Sequence, residues 1–88
     1  MKQETFDLLL KLMTATRPRN PVTVEAARLV MVEGDEAKAK ELCKNKKNGQ
    51  FINVQGFCNR LWMAHRRFFI NSLIDEPPAD DMPYRKNF

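Results

Sequence analysis

Asn53, Gln55 and Asn59 lie within seven positions of one another, with Gly56 among them. A carboxamide donates and accepts at once, which is what the N6/N7 edge of adenine asks of a reader in the major groove of DNA. Gly56 is bare, so a base edge or phosphate could come close to the backbone there, at a cost of about 1 kcal/mol against alanine inside a helix. Around this set stand six cations, Lys44, Lys46, Lys47, Arg60, Arg66 and Arg67, and between Leu42 and Ile74 the chain carries no acid. Acids gather instead over Glu25–Glu41 and Asp75–Asp81. One sign of charge confined to one segment suits a polyanion, with the cations on phosphates setting affinity and the amides at base edges setting sequence choice. Each feature also has a plainer account. Basic runs are usually solvated loops, Asn53 could simply cap a helix, and Gly56 could permit close helix packing.

Other chemistries find little support. A single histidine, His65, and two distant cysteines, Cys43 and Cys58, offer neither metal-ligand spacing nor a disulfide framework. Both cysteines have apolar neighbours and fit small buried hydrophobes in a reducing compartment. There is no serine-nucleophile motif and no glycine-rich phosphate loop, since Gly34, Gly49 and Gly56 are isolated. The sequence therefore points away from an enzyme and calls for no cofactor, metal or small-molecule substrate. No apolar run approaches the roughly 20 residues of a bilayer span, and no signal-peptide pattern opens the chain. A membrane is not an expected partner, and the expected location is the cytoplasm.

The elements that must position these residues follow from period and punctuation. With 88 residues, 43% hydrophobic and 30% charged, the chain has room for one ordinary globular core. Phe6, Leu9, Leu10 and Met13 have helical spacing and predict a first helix from Lys2 to about Ala15. Pro18 and Pro21 interrupt it. Thr23 is a candidate cap for a second helix, Val24–Glu33, with Ala27, Val30 and Met31 inward and Gly34 as its stop. Asp35 can cap a short third helix, Glu36 to about Lys44, with Ala39, Leu42 and Cys43 inward. The polar, basic turn Lys44–Gly49 leads to a long last helix that starts at Asn53 or just before it, with Phe51-Ile52-Asn53-Val54 as its entry, and runs to about Ile74. Its apolar stripe is Val54, Phe57, Cys58, Leu61, Trp62, Phe68, Phe69 and Leu73. Trp62 and the phenylalanines belong to this core, as does His65, half-buried. Pro77-Pro78 ends regular structure. The sequence thus predicts an all-α fold of four to five helices over residues 1–76, followed by a flexible C-terminal tail over 77–88.

A short helix, a turn and a longer helix crossing it is the plan of a helix-turn-helix, whose second helix enters the major groove. Ala39 and Leu42 would pack beneath Val54 and Cys58 to fix the crossing. The run Thr23-Val24-Glu25-Ala26-Ala27-Arg28-Leu29-Val30-Met31-Val32-Glu33-Gly34 and the later Val54 followed by Cys58-Asn59-Arg60-Leu61-Trp62 resemble, in order, two segments of the KorA/TrfB-type repressors of conjugative plasmids. The turn between the helices is longer here. The resemblance implies a bacterial transcriptional repressor that binds double-stranded DNA at a palindromic operator as a homodimer, on the nucleoid, and regulates plasmid genes. By position it puts Asn53, Gln55, Gly56 and Asn59 at bases and Arg60 at a phosphate. Either the first helix (Phe6, Leu10, Met13) or the end of the last (Phe69, Ile70, Leu73) would pair two copies. Asp75, Glu76, Asp80 and Asp81 would be solvated, or would weaken non-specific DNA binding by repulsion. The rival readings are a small helical interaction protein that modulates a host protein through its last helix, and a sequence-tolerant nucleic-acid coat.

Overall fold

The computed structural model describes residues 1–13, 20–44 and 51–84. Four helices follow in order: α1 (Gln3–Leu12), α2 (Pro21–Met31), α3 (Glu36–Cys43) and α4 (Phe51–Ile70). Among the described residues there is no strand, so the fold is all-α as the periodicity predicts. None of these helices is long and apolar enough to cross a membrane.

The helix ends have local causes. Pro21 opens α2, because the first helical position needs no N–H and its fixed φ suits the turn. Asn20, rather than Thr23, is the cap: its Oδ1 accepts from the Val22 N–H at 2.9 Å. Asp35 caps α3 as expected, accepting from the Lys38 N–H at 3.0 Å. Between them Gly34 sits at φ +68°, and the Asp35 N–H returns to the Leu29 carbonyl at 2.9 Å. The last helix takes in Phe51 and Ile52, its expected entry, and ends at Ile70, short of the expected Ile74. Its stop is a nested pair of bonds, Ser72 N–H to the Phe69 carbonyl at 3.1 Å and Leu73 N–H to the Phe68 carbonyl at 2.9 Å. That pattern needs a left-handed residue, usually glycine, and here it is Ser72 at φ 63°.

The core collects Phe6 and Leu9 from α1, Ala26, Ala27 and Leu29 from α2, and Ala39 and Cys43 from α3, with Val54, Phe57, Cys58, Leu61 and Ala64 from α4. Ile74 closes it, brought back by the turn at Ser72. α2 is the hub, packing along both α3 and α4, and its two fully buried alanines let those neighbours approach closely. Direct packing of α3 on α4 is slight, so α3 is braced chiefly by α2 and not by the Val54–Cys58 face expected to carry it. Two further expectations are corrected. Phe69 and Leu73 are exposed: Phe69 lies in the last turn of α4 off its packed face, and Leu73 lies beyond the helix end at Ile70. Phe6 is buried within its own chain and is not available to pair two copies.

The two left-handed positions give opposite expectations. Nothing lies within 4 Å of a Cβ added at Gly34, so Gly34→Ala costs only backbone strain, about 1 kcal/mol. Ser72→Gly relieves the same strain and gains up to about 1 kcal/mol, less the added freedom of the unfolded chain. For a domain of this size that is a shift in melting midpoint of roughly 4–8 °C per kcal/mol. Thermal unfolding with the two variants moving in the same direction would contradict this account of the helix ends.

Candidate nucleic-acid interface

Twenty residues of α4 present two long faces, one packed on the core and one turned outward. Asn53, Arg60 and Arg67 are spaced by seven, two helical turns apart, and so form one row; all three are exposed. Beside them run Gly56, half-buried, and the exposed Met63 and Ile70, at 57% and 68% of their full surface. Arg66 is exposed on the flank, and Lys44 is exposed at the end of α3. Each guanidinium leans on a ring of its own helix: Arg60 on Phe57 at 5.9 Å, Arg66 on Trp62 at 5.8 Å and Arg67 on Phe68 at 5.2 Å. Among the described residues no carboxylate is in ion-pair reach of these three arginines. Glu25 and Glu33 instead hold Arg28, Glu36 holds Lys40 at 3.2 Å, and Glu76 lies near the terminal amine. Their bonds raise the pKa of the Arg28 guanidinium, and hydrogen bonding to Arg28 keeps Glu25 below the usual carboxylate range.

Asn59 departs from this pattern. Expected at a base edge, it is 5% exposed, because the segment after α4 folds back along the helix. The Tyr84 N–H donates to Asn59 Oδ1 at 2.9 Å, and Asn59 Nδ2 donates to the Tyr84 carbonyl at 3.2 Å. Farther along, Trp62 Nε1 donates to the Ala79 carbonyl at 2.8 Å, and His65 Nε2 lies 2.6 Å from the Glu76 carbonyl. A carbonyl only accepts, so that ring nitrogen carries the proton. Positions 65, 62 and 59 descend as 76, 79 and 84 ascend, so the segment is an antiparallel strap on one edge of α4. Residues 77–84, expected to form a flexible tail, are therefore held, because Asn59, Trp62 and His65 each offer a polar tip that backbone groups can meet.

Both ends of the strap are anchored. At one end the Glu76 carboxylate accepts from the Lys2 N–H at 3.0 Å and lies 3.8 Å from the terminal amine of Met1. Burial pushes its pKa up, but the Thr5 hydroxyl, the Lys2 N–H and the amine outweigh it and hold the group below its ordinary value. At the other end the Tyr84 hydroxyl donates to Glu36 Oε2 at 2.6 Å, and its ring meets Phe51 edge-on with centroids 6.0 Å apart. Hydrogen bonds from Tyr84 and then Lys40 lower the pKa of Glu36. Burial, and then Glu36, raise that of the Tyr84 phenol. Burial also pushes the Cys58 thiol up to about 12, so it is not a reactive thiolate.

Of the residues expected at DNA, Asn53, Lys44, Arg60, Arg66 and Arg67 are solvent-facing, Gln55 and Gly56 are half-buried, and Asn59 is covered. Lys46 and Lys47 lie outside the described residues. No cluster of metal-ligating side chains occurs among the described residues. Comparison with known protein families, with characterised proteins and with solved structures finds no match.

The anchors carry a pH dependence of definite sign. Glu36 and Glu76 are both depressed, so what they contribute is fully present above the ordinary glutamate value of about 4.3 and lost as pH falls through their lower folded values. The Tyr84 ring-proton shifts followed by NMR are expected to hold from pH 7 to about pH 5, then move toward free-tyrosine values on further acidification. Release of the ring above that range would contradict carboxylate anchoring.

Proposed function

We propose that this protein binds double-stranded DNA through the outward face of α4, as a sequence-specific transcriptional repressor acting as a homodimer on a palindromic operator. The observation that carries the reading is the row Asn53–Arg60–Arg67, with Arg66 and Lys44 at its sides, solvent-facing and without a carboxylate partner among the described residues. An α-helix fits the major groove, about 12 Å wide, and recognition helices touch base edges with their first turns. Asn53 stands in the first turn of α4 and takes the base-reading part, with Gln55 and Gly56 beside it. Arg60, Arg66, Arg67 and Lys44 take phosphates and fix the register. The exposed Phe69, Ile70 and Leu73 at the far end of α4 supply an apolar patch for the second copy. On this reading the protein works on the bacterial nucleoid and regulates plasmid genes, as its resemblance to the KorA/TrfB-type repressors implies.

The same exposed apolar end favours a second reading, in which a host protein docks there and DNA is not involved. Selection from random duplex separates the two. DNA binding predicts one enriched site with two-fold symmetry and an affinity that falls linearly with salt on logarithmic axes, by about 0.9 per phosphate contacted. Arg60→Ala and Arg67→Ala are each expected to weaken all duplexes alike and reduce that slope by about 1. Asn53→Ala is expected to relax choice at one base pair, by about 1–3 kcal/mol. No enrichment, together with no salt-dependent retention of any duplex, would sink the reading.

A further inference from the structure

The strap does more than cap the fold. Tyr84 presents to Asn59 one donor and one acceptor side by side, N–H to Oδ1 and C=O from Nδ2. An adenine edge presents the same pair in N6–H and N7. The strap thus occupies the Asn59 amide in the way a base would. It is also acidic: Asp75, Glu76, Asp80 and Asp81 lie within residues 75–84, with no base among them. Asp80 and Asp81 fall between two points where the strap meets α4, at Ala79 on Trp62 and at Met82, which lines a groove with Trp62, Arg66 and Arg67. The strap thus brings negative charge to the Trp62 side of α4, with Asp81 in a groove beside Trp62 and His65, without ion-pairing the arginines of that helix.

We propose that the strap over residues 76–84 is an autoinhibitory clamp, a built-in competitor for duplex DNA that holds the Asn59 amide and must lift from α4 for full binding. The inference rests on the DNA-binding reading above. Its anchors suit a reversible device. The Tyr84 end is held by one exposed hydroxyl bond, one ring-edge contact and the part-buried amide pair. Net hydrogen bonds of this kind are each worth about 1 kcal/mol, a scale at which binding of a ligand can shift the equilibrium. While the strap is down, apparent affinity is reduced by the fraction of molecules in which it is lifted.

The test uses the full chain and the duplex enriched by selection, at fixed salt. Tyr84→Ala removes the hydroxyl and ring anchors but leaves the backbone, and is expected to tighten binding by about tenfold. Trp62→Phe removes the N–H that holds Ala79 and is expected to tighten it severalfold, which keeps the test alive if Tyr84→Ala folds poorly. Adding Asn59→Ala to Tyr84→Ala is expected to cancel most of the gain and to relax choice at one A·T pair. Unchanged or weaker binding in Tyr84→Ala and Trp62→Phe, with circular dichroism showing α4 intact, overturns the clamp while DNA binding stands. A gain that persists undiminished in the double variant overturns the role of Asn59. If neither the wild type nor any variant binds duplex, the DNA reading falls and the clamp falls with it.

Discussion

The polar tips that α4 turns toward its own C-terminal segment must be satisfied, and a single extended stretch of backbone satisfies them. Asn59, Trp62 and His65 stand at i, i+3 and i+6, on a helix edge where apolar packing alone would leave their nitrogens and oxygens unmet. Leaving a buried polar group without a partner costs about 1–3 kcal/mol, more than any one of these bonds returns. Whatever covers that edge must therefore meet these tips, and the strap's peptide groups do so; with the strap lifted, water takes their place. Among the described residues no buried side-chain nitrogen or oxygen lacks a partner. The same contact decides which side of α4 faces solvent, and so which residues any ligand can meet.

Behind that helix, α2 does the bracing. Ala26 and Ala27 are fully buried and small, so α3 and α4 both pack against one helix. The cost of so narrow a hub is a shallow core, and a domain of this length buries only a modest share of its surface. Phe6 and Leu9 from α1 and Ile74 from beyond α4 make up part of the deficit. Ile74 arrives only because the chain accepts a left-handed serine at position 72, so local strain there is exchanged for apolar burial.

What could be read from the sequence divides along the same lines. Asp35 and Gly34 were legible as punctuation, since a cap and a left-handed stop are signalled by the residues that perform them. The buried half of α4 was legible from period, with Val54, Phe57, Cys58 and Leu61 in place. The row Asn53, Arg60, Arg67 was legible as polar helix surface. The strap was not, because its contributions to α4 are the carbonyls of Glu76 and Ala79 and the peptide of Tyr84, and a backbone group has no letter of its own. One signal was present: three hydrogen-bonding tips spaced along one helix edge, followed by Pro77-Pro78, whose extended geometry leaves carbonyls free. Asn59 differs from its expected place for this reason. Helical period puts it next to the solvent face, and only the tail decides otherwise.

The arginines bear on how such a face could work. A free arginine side chain gives up as much as about 2 kcal/mol of rotamer entropy when it is ordered on a phosphate. Arg60, Arg66 and Arg67 already rest against Phe57, Trp62 and Phe68, contacts worth about 0.5–1 kcal/mol at exposed sites, so part of that ordering precedes any encounter. A ring contact engages no carboxylate, so the guanidinium N–H groups stay open to oxygen acceptors. An ion pair with a neighbouring carboxylate would order the side chain too, but it would occupy the edge a phosphate needs. The pairing of Glu25 and Glu33 with Arg28, and of Glu36 with Lys40 and Tyr84, is thus part of what keeps the guanidinium edges of α4 open.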